Sequence, residues 1–451
     1  MTSAPYQVTD PSTGEVVESF ATATDEQIDA ALAAAASGYS LWRSMPITER
    51  AAIVRRIGEL IAERSDDLAR TVRQEMGKSP KDAASELNFC KTIYDYFSDN
   101  GPALLADQPI DSYAGGTAVV QKLPIGPLLG IMPWNYPFYQ VSRFVAPNLM
   151  LGNTIILKHA ESVPRSALAL EQIMKDAGLP DGVYTNVFAS HEQIERIIAD
   201  PRVQGVSLTG SERAGSIVAS IAGKNLKKCV LELGGSDPMV VLDTDDLDKL
   251  ASVAWNYRIY NGGQVCNSNK RMIVMDDIYD DFVTKLTEHA RSVDLAEYPP
   301  LSSRRAAESL HEQVQDAVSK GATLHAGGSL SDGPGAYYSP GVLTGVTKDM
   351  RAYSEELFGP VAVVYKVASD DEALELANDT AYGLGGLVFS TDVERAANVA
   401  QRLEVGMANV NWLGEGAEIP FGGVKRSGFG RELGPLAMDE FVNKRLYFVA
   451  G

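Results

Sequence analysis

Three short stretches of the chain carry side chains suited to work at a carbonyl carbon. Pro133-Trp134-Asn135-Tyr136-Pro137 offers an amide donor, Leu231-Glu232-Leu233-Gly234-Gly235 a carboxylate, and Gly262-Gly263-Gln264-Val265-Cys266 a thiol. Together they suit the oxidation of an aldehyde through a covalent thioester. A thiolate attacks the carbonyl and an amide N–H steadies the oxyanion. A carboxylate then activates the water that releases the acid. Cys266 follows Asn261-Gly262-Gly263, a turn that presents a side chain rather than burying it. Glu232 sits in an apolar strand, Val230 to Leu233, where a carboxylate is costly unless it has a task or a partner. Burial there is expected to raise its pKa toward that of a useful base. Asn135, between two prolines, reads by itself as a turn residue. Cys90 and Cys229 read as buried apolar cysteines.

These groups need a scaffold, and the middle of the chain supplies its pattern. Apolar runs at Thr154–Lys158, Val183–Ala189, Val203–Leu208 and Cys229–Leu233 alternate with helical stretches at Pro164–Ala177, His191–Ala199 and Ser211 to about Ala222. That rhythm predicts a parallel sheet covered by helices. A second α/β stretch runs from about 238 to 425, with helices at 277–292, 304–319, 370–378 and 392–402. Helices also fill 24–75 and Leu87 to Phe97. Residues 117–123 and Arg445–Val449 read as strands detached from the central pattern.

The usual Gly-x-Gly-x-x-Gly dinucleotide fingerprint is absent. Gly428, Gly430 and Gly434 have the wrong spacing and no preceding strand, so they read as a turn. Gly210-Ser211-Glu212-Arg213-Ala214-Gly215 is the better phosphate turn, because it follows a strand and opens a helix. Lys158 and Glu161 follow an earlier strand, where a carboxylate can hold ribose hydroxyls.

The formal net charge of -19 argues against nucleic acid, whose phosphates need a cationic surface. The 3 cysteines show no paired spacing and the 5 histidines are scattered, so neither disulfides nor a metal are expected. Met1 to Val17 does not read as a signal peptide and no apolar run is long enough for a membrane span. A reducing cytoplasmic setting is the expectation.

The chain resembles the aldehyde dehydrogenase superfamily over nearly its whole length. Seven motifs arrive in that family's order: the Pro-Trp-Asn-Tyr-Pro at 133–137, Lys158-x-x-Glu161, Gly210-Ser211-x-x-x-Gly215, Glu232-Leu-Gly-Gly235, Gly-Gln-Val-Cys266, Glu355-Glu356-Leu357-Phe358-Gly359-Pro360, and Pro420-Phe421-Gly422-Gly423-Val424-Lys425-x-Ser427-Gly428. Lys158-His159-Ala160 and the short N-terminus are similar to a bacterial succinate-semialdehyde dehydrogenase subgroup. The resemblance implies Cys266 as nucleophile, Glu232 as general base and Asn135 as oxyanion donor. It implies cofactor contacts at Trp134, Lys158, Glu161, Gly210, Ser211, Gly215, Glu356 and Phe358.

It also implies a Rossmann-like NAD(P)-binding domain in 1–105 and 125–232, an α/β catalytic domain in 233–430, and oligomerisation strands in 106–124 and 431–451. A homodimer or homotetramer follows from the last. The repulsion between Glu161 and a ribose 2′-phosphate predicts a preference for NAD over NADP.

For the substrate, Arg143 coincides with a carboxylate-binding arginine of the subgroup. If residues 135–143 are helical, Arg143 shares a face with Asn135 about 12 Å away along the axis. Tyr136, Tyr139 and Trp412 are expected to line the pocket. Succinate semialdehyde is therefore the expected substrate. Departures from the pattern are Tyr260 in place of a second arginine, with Arg258 nearby, and Glu415 and Glu418 in a late loop that usually holds a serine. Aromatic or amino aldehydes, and a non-enzymatic protein on the same fold, are the competing readings.

Overall fold

A computed structural model describes residues 6–112 and 115–450. It has the expected α/β architecture, built on two large, mostly parallel sheets and two small ones. The six-stranded sheet runs in the order Gly428–Phe429, Lys228–Glu232, Gly205–Thr209, Pro127–Met132, Thr154–His159, Tyr184–Asn186. Its five longer-range strands are parallel, and Gly428–Phe429 adds an antiparallel edge against Lys228–Glu232. The glycines from 428 onward are thus partly strand rather than simple turn.

The first of the parallel strands in the chain, Pro127–Met132, lies in the middle, and the strand order reverses beside it. Ligands of such sheets bind where the order reverses, beyond the carboxyl ends of the strands. Those ends here carry Trp134 and Asn135, Lys158 and Glu161, Gly210 and Ser211, and Glu232. Strands Thr154–His159 and Gly205–Thr209 are buried at every position, as expected when helices cover both faces.

The seven-stranded sheet runs Thr323–Ala326, Gly341–Thr344, Val361–Val367, Arg271–Met275, Pro238–Val241, Gly385–Phe389, Met407–Val410. Only its first strand is antiparallel to its neighbour. The detached strands of the sequence, Thr117–Pro124 and Val442–Val449, pair with each other, and Gln108–Ile110 joins them in a three-stranded antiparallel sheet. A hairpin of Tyr6–Thr9 and Val16–Phe20 was not anticipated from the polar N-terminal sequence.

Two helices bear directly on the site. The helix expected around Leu87 to Phe97 extends over Pro80–Leu104, started by Ser79, whose side chain accepts from the Asp82 N–H, and by Pro80 in the first turn. Helix Tyr139–Leu151 begins only after Pro137-Phe138, so Asn135 lies outside it. The assumption that Asn135 and Arg143 share one helical face is therefore corrected.

Candidate active site

The thiol is placed by a backbone that few sequences can adopt. After helix Leu247–Ile259 the chain makes a tight turn, Tyr260–Gly263, in which Asn261, Gly262 and Gly263 have φ of 53°, 65° and 71°. Three successive left-handed residues are tolerated because two are glycine and the third is asparagine. A side chain at Gly263 would meet the Gly359 carbonyl at 2.4 Å. Cys266 emerges three residues later on the wall of a cavity of about 660 Å³.

The Asn135 segment is stitched to this loop. Asn135 Nδ2 donates to the Gln264 carbonyl at 3.0 Å, and Asn261 Nδ2 donates to the Asn135 carbonyl at 3.1 Å. An amide nitrogen carries two hydrogens, so this bond leaves Asn135 one more to donate. The segment is braced from behind by a buried pair, Lys78 and Glu86. Glu86 accepts the N–H groups of Phe138 and Tyr139 at 2.8 and 3.0 Å, and the Lys78 ammonium lies 3.8 Å from the Tyr136 ring centre. His159 adds a contact, its Nε2 2.9 Å from the Pro137 carbonyl, while its Nδ1 accepts the Ala160 N–H. Burial holds its pKa down at about 4, so it is a neutral strut.

Glu232 ends strand Lys228–Glu232 and is 1% exposed, with no hydrogen-bond partner on either carboxylate oxygen among the described residues. Burial lifts its pKa well above the ordinary carboxylate range; Arg143 opposes that rise and Glu432 adds to it. A side chain at Gly422 would come within 2.7 Å of its Oε1, so glycine there preserves the room beside the carboxylate. Cys266, Tyr136 and Tyr139 form part of the cavity wall, and the buried Glu232 and Asn135 do not line it. Burial pushes the Cys266 thiol up to about 11, against the pull of Arg143 and Lys270.

The expected cofactor residues gather at the carboxyl ends of the six-stranded sheet. Gly210 and Ser211 join strand Gly205–Thr209 to helix Glu212–Lys224, and Ser211 caps it by accepting the Ala214 N–H at 3.3 Å. Only a leucine side chain, at 3.6 Å, faces the position of a Cβ at Gly210, so the turn is open to a phosphate. The donor set and the strand-order reversal fit a dinucleotide. Glu356 reaches in beside Gly234, where a side chain would collide with its Oε2 at 2.5 Å, and accepts the Gly235 N–H at 3.0 Å. Phe358 packs edge-on against Trp134 with centroids 5.8 Å apart. Lys158 is bonded to Glu161, and His191 Nε2 stands 3.6 Å from the same carboxylate.

Three expectations are corrected. Arg143 does not reach the cavity: it is fully buried, paired with Glu432, and its guanidinium sits 4.3 Å above Phe421. Trp412 is 60% exposed and leans on Tyr257 rather than lining the wall. Cys229 is half-buried, whereas Cys90 is buried as expected.

Sequence reasoning missed Glu432, Lys78, Glu86, Lys270 and Arg431. Arg431 is on the cavity wall, with Nη1 bonded to the Gly423 and Gly430 carbonyls at 2.9 and 2.6 Å. Glu432 carried no readable signal: Gly430-Arg431-Glu432-Leu433-Gly434 is a polar, glycine-flanked stretch, and its burial shows only in the fold. Arg258 does not point in; it clamps the carbonyls of Leu357, Gly359, Val361 and Gly263.

A thiol on a cavity wall, an amide bonded to its loop and a buried acid at the end of a strand in a dinucleotide-type sheet suit an oxidoreductase that works on a carbonyl. Residues 1–446 match the family model described as "Aldehyde dehydrogenase family". The chain belongs to the aldehyde dehydrogenase family. It is 52% identical to a Deinococcus radiodurans protein named succinate-semialdehyde dehydrogenase [NADP(+)], covering 98% of this chain and 94% of that one. A Mycobacterium avium protein of the same name is 41% identical over 99% of this chain and 97% of its own. Among solved structures, succinic semialdehyde dehydrogenase from Streptococcus pyogenes in complex with NADP+ superposes with a TM-score of 0.95 at 40% identity, covering 99% of this chain and 100% of that one. The NAD+ complex of an aldehyde dehydrogenase from Bacillus cereus gives 0.94 at 31% identity, covering 99% and 94%.

Proposed function

We propose that this aldehyde dehydrogenase oxidises succinate semialdehyde to succinate with NADP, through a thiohemiacetal and a thioester on Cys266. What carries the substrate reading is similarity along almost the whole chain to a protein named for that reaction, at 52% identity. Cys266 attacks the aldehyde carbon, and the second hydrogen of Asn135 Nδ2 meets the oxyanion. A bound nicotinamide supplies the two-electron acceptor. Glu232 then takes a proton from water as that water attacks the thioester, and the free acid leaves. Gly210, Ser211 and Gly215 receive the pyrophosphate, Lys158 and Glu161 the adenosine ribose, and Glu356 with Phe358 and Trp134 the nicotinamide end.

The expected preference for NAD rested on repulsion between the Glu161 carboxylate and a 2′-phosphate. Lys158 compensates it, and His191 stands on its other side. A 2′-phosphate would thus meet the Lys158 ammonium, which supports NADP as the preferred cofactor, in line with the relatives' names.

The distal carboxylate is assigned to Arg431. Among the described residues it is the only lysine, arginine or histidine on the cavity wall, and it forms no ion pair there. Wild-type enzyme should oxidise succinate semialdehyde more efficiently than butanal, with NADP above NAD in kcat/KM. Arg431→Gln should raise KM for the semialdehyde roughly 10- to 100-fold, the worth of a charge-assisted contact of about 1.5–3 kcal/mol, and leave butanal nearly unchanged. Equal efficiency on both aldehydes contradicts the reading. A preference for an ω-amino aldehyde would move it to Glu415, which shares the wall with Tyr257 and Tyr260.

The three-stranded sheet is assigned as the assembly surface of a homodimer or homotetramer. Val442–Val449 forms its open edge and exposes Leu446, Tyr447, Phe448 and Val449.

A further inference from the structure

Lys270 has no role in the chemistry assigned above, yet it is buried four residues beyond the nucleophile. Its ammonium donates to the carbonyl oxygens of Val265 and Cys266, each at 2.7 Å, and lies 3.1 Å from Glu356 Oε1. Two of the ammonium's three donors hold the backbone of the thiol's own loop, and its charge stands in ion-pair range of an acid of the cofactor end.

Other charged and titratable groups also face the thiol. Arg143 is the second cation, Glu356 and Asp237 are the acids, and the hydroxyls of Tyr136 and Tyr139 are close by. Burial pushes Asp237 up to about 7. Among the described residues, Lys270 is the one of these that bonds to Cys266 itself, through the backbone carbonyl.

We propose that Lys270 is a positioning residue that fixes the Cys266 loop and couples the thiol to Glu356. With Glu356 against it, the field of the ammonium at the thiol is partly cancelled. When Glu356 turns to a ligand instead, the ammonium is left facing the cysteine loop and favours the thiolate. The nucleophile thereby becomes more acidic when the acid is engaged elsewhere. The coupling rests on reading Glu356 as a cofactor contact; the clamp on the loop does not.

The test is alkylation of Cys266 by iodoacetamide across a pH series, without cofactor, read by peptide mass spectrometry so that Cys90 and Cys229 do not interfere. Lys270→Gln should raise the midpoint and slow alkylation near neutral pH about tenfold or more, the effect of one pKa unit on the thiolate fraction. Lys270→Arg, which keeps the charge, should recover part of the rate. Glu356→Gln should lower the midpoint and speed alkylation, and the acceleration should shrink in the double variant. An unchanged midpoint in Lys270→Gln overturns the proposal, as does an undiminished effect of Glu356→Gln in the double variant. If Lys270→Gln does not fold, the single variant Glu356→Gln decides: an unchanged or raised midpoint overturns the coupling. Failure of NADP to bind, measured by titration calorimetry, contradicts the cofactor reading instead and leaves these midpoints standing.

Discussion

At the level of single residues, the structure buries two groups that the proposed mechanism uses in their charged form. The resting thiol of Cys266 is held up at about 11 by its surroundings, and the Glu232 carboxyl is held well above its usual range by burial. Near neutral pH Cys266 is therefore biased toward the thiol, and burial shifts Glu232 toward its protonated form. Arg143 works against both shifts, which gives this buried cation an electrostatic task even though it does not line the cavity. A carboxyl with a raised pKa is a base only above that pKa. In the proposed mechanism, release of the acid is therefore the step expected to weaken as pH falls. Cys266 and Glu232 were legible in the sequence because a polar group among apolar residues or glycines needs a reason to be there. Arg143 was misread for the opposite reason: its partner, Glu432, lies far along the chain, and no local pattern announces the pair. The Lys78–Glu86 brace was unreadable on the same ground, because a lysine in a Gly-Lys-Ser-Pro turn looks solvated until the fold closes over it.

At the level of elements, the turn Tyr260–Gly263 determines where the thiol emerges. Gly263→Ala places a Cβ against the Gly359 carbonyl and also carries the cost of a left-handed alanine, about 1–2 kcal/mol. The expected loss of stability is more than about 2 kcal/mol in urea unfolding, with activity reduced about tenfold or more as Cys266 shifts. Gly178→Ala is the control, since that glycine has φ +88° but nothing within 4 Å. It should lose only the backbone term and keep its activity. Equal, mild effects of the two substitutions would contradict this view of the turn. The strand and helix alternation was legible because fully buried strands read as short apolar runs separated by helical periods. Boundaries were less so. The start of a helix at Tyr139 rather than at Asn135 depends on Glu86 accepting its first N–H groups from another helix. The edge strand Gly428–Phe429 is too short for any periodicity and exists because Lys228–Glu232 offers it an edge.

At the level of the whole molecule, an acidic chain with net charge -19 keeps one strongly apolar strand on an open sheet edge. Leu446 is 64% exposed and Phe448 43%, on the same face of strand Val442–Val449. Such edges invite pairing with another chain. Light scattering should give the wild type the mass of a dimer or tetramer, and Leu446→Asp with Phe448→Asp a smaller species; a monomeric wild type contradicts the assignment.

The proposed function requires covalent chemistry at Cys266 completed by Glu232. The most direct measurement is the intact mass of Glu232→Gln after mixing with succinate semialdehyde and NADP, with reduced cofactor followed in parallel. The account predicts about one equivalent of reduced cofactor per site, an acyl adduct confined to Cys266, and little turnover afterwards. The wild type should accumulate the same adduct only as the pH is lowered, and Cys266→Ala should show neither signal. Sustained turnover of Glu232→Gln at the wild-type rate, with no adduct on Cys266, would contradict it.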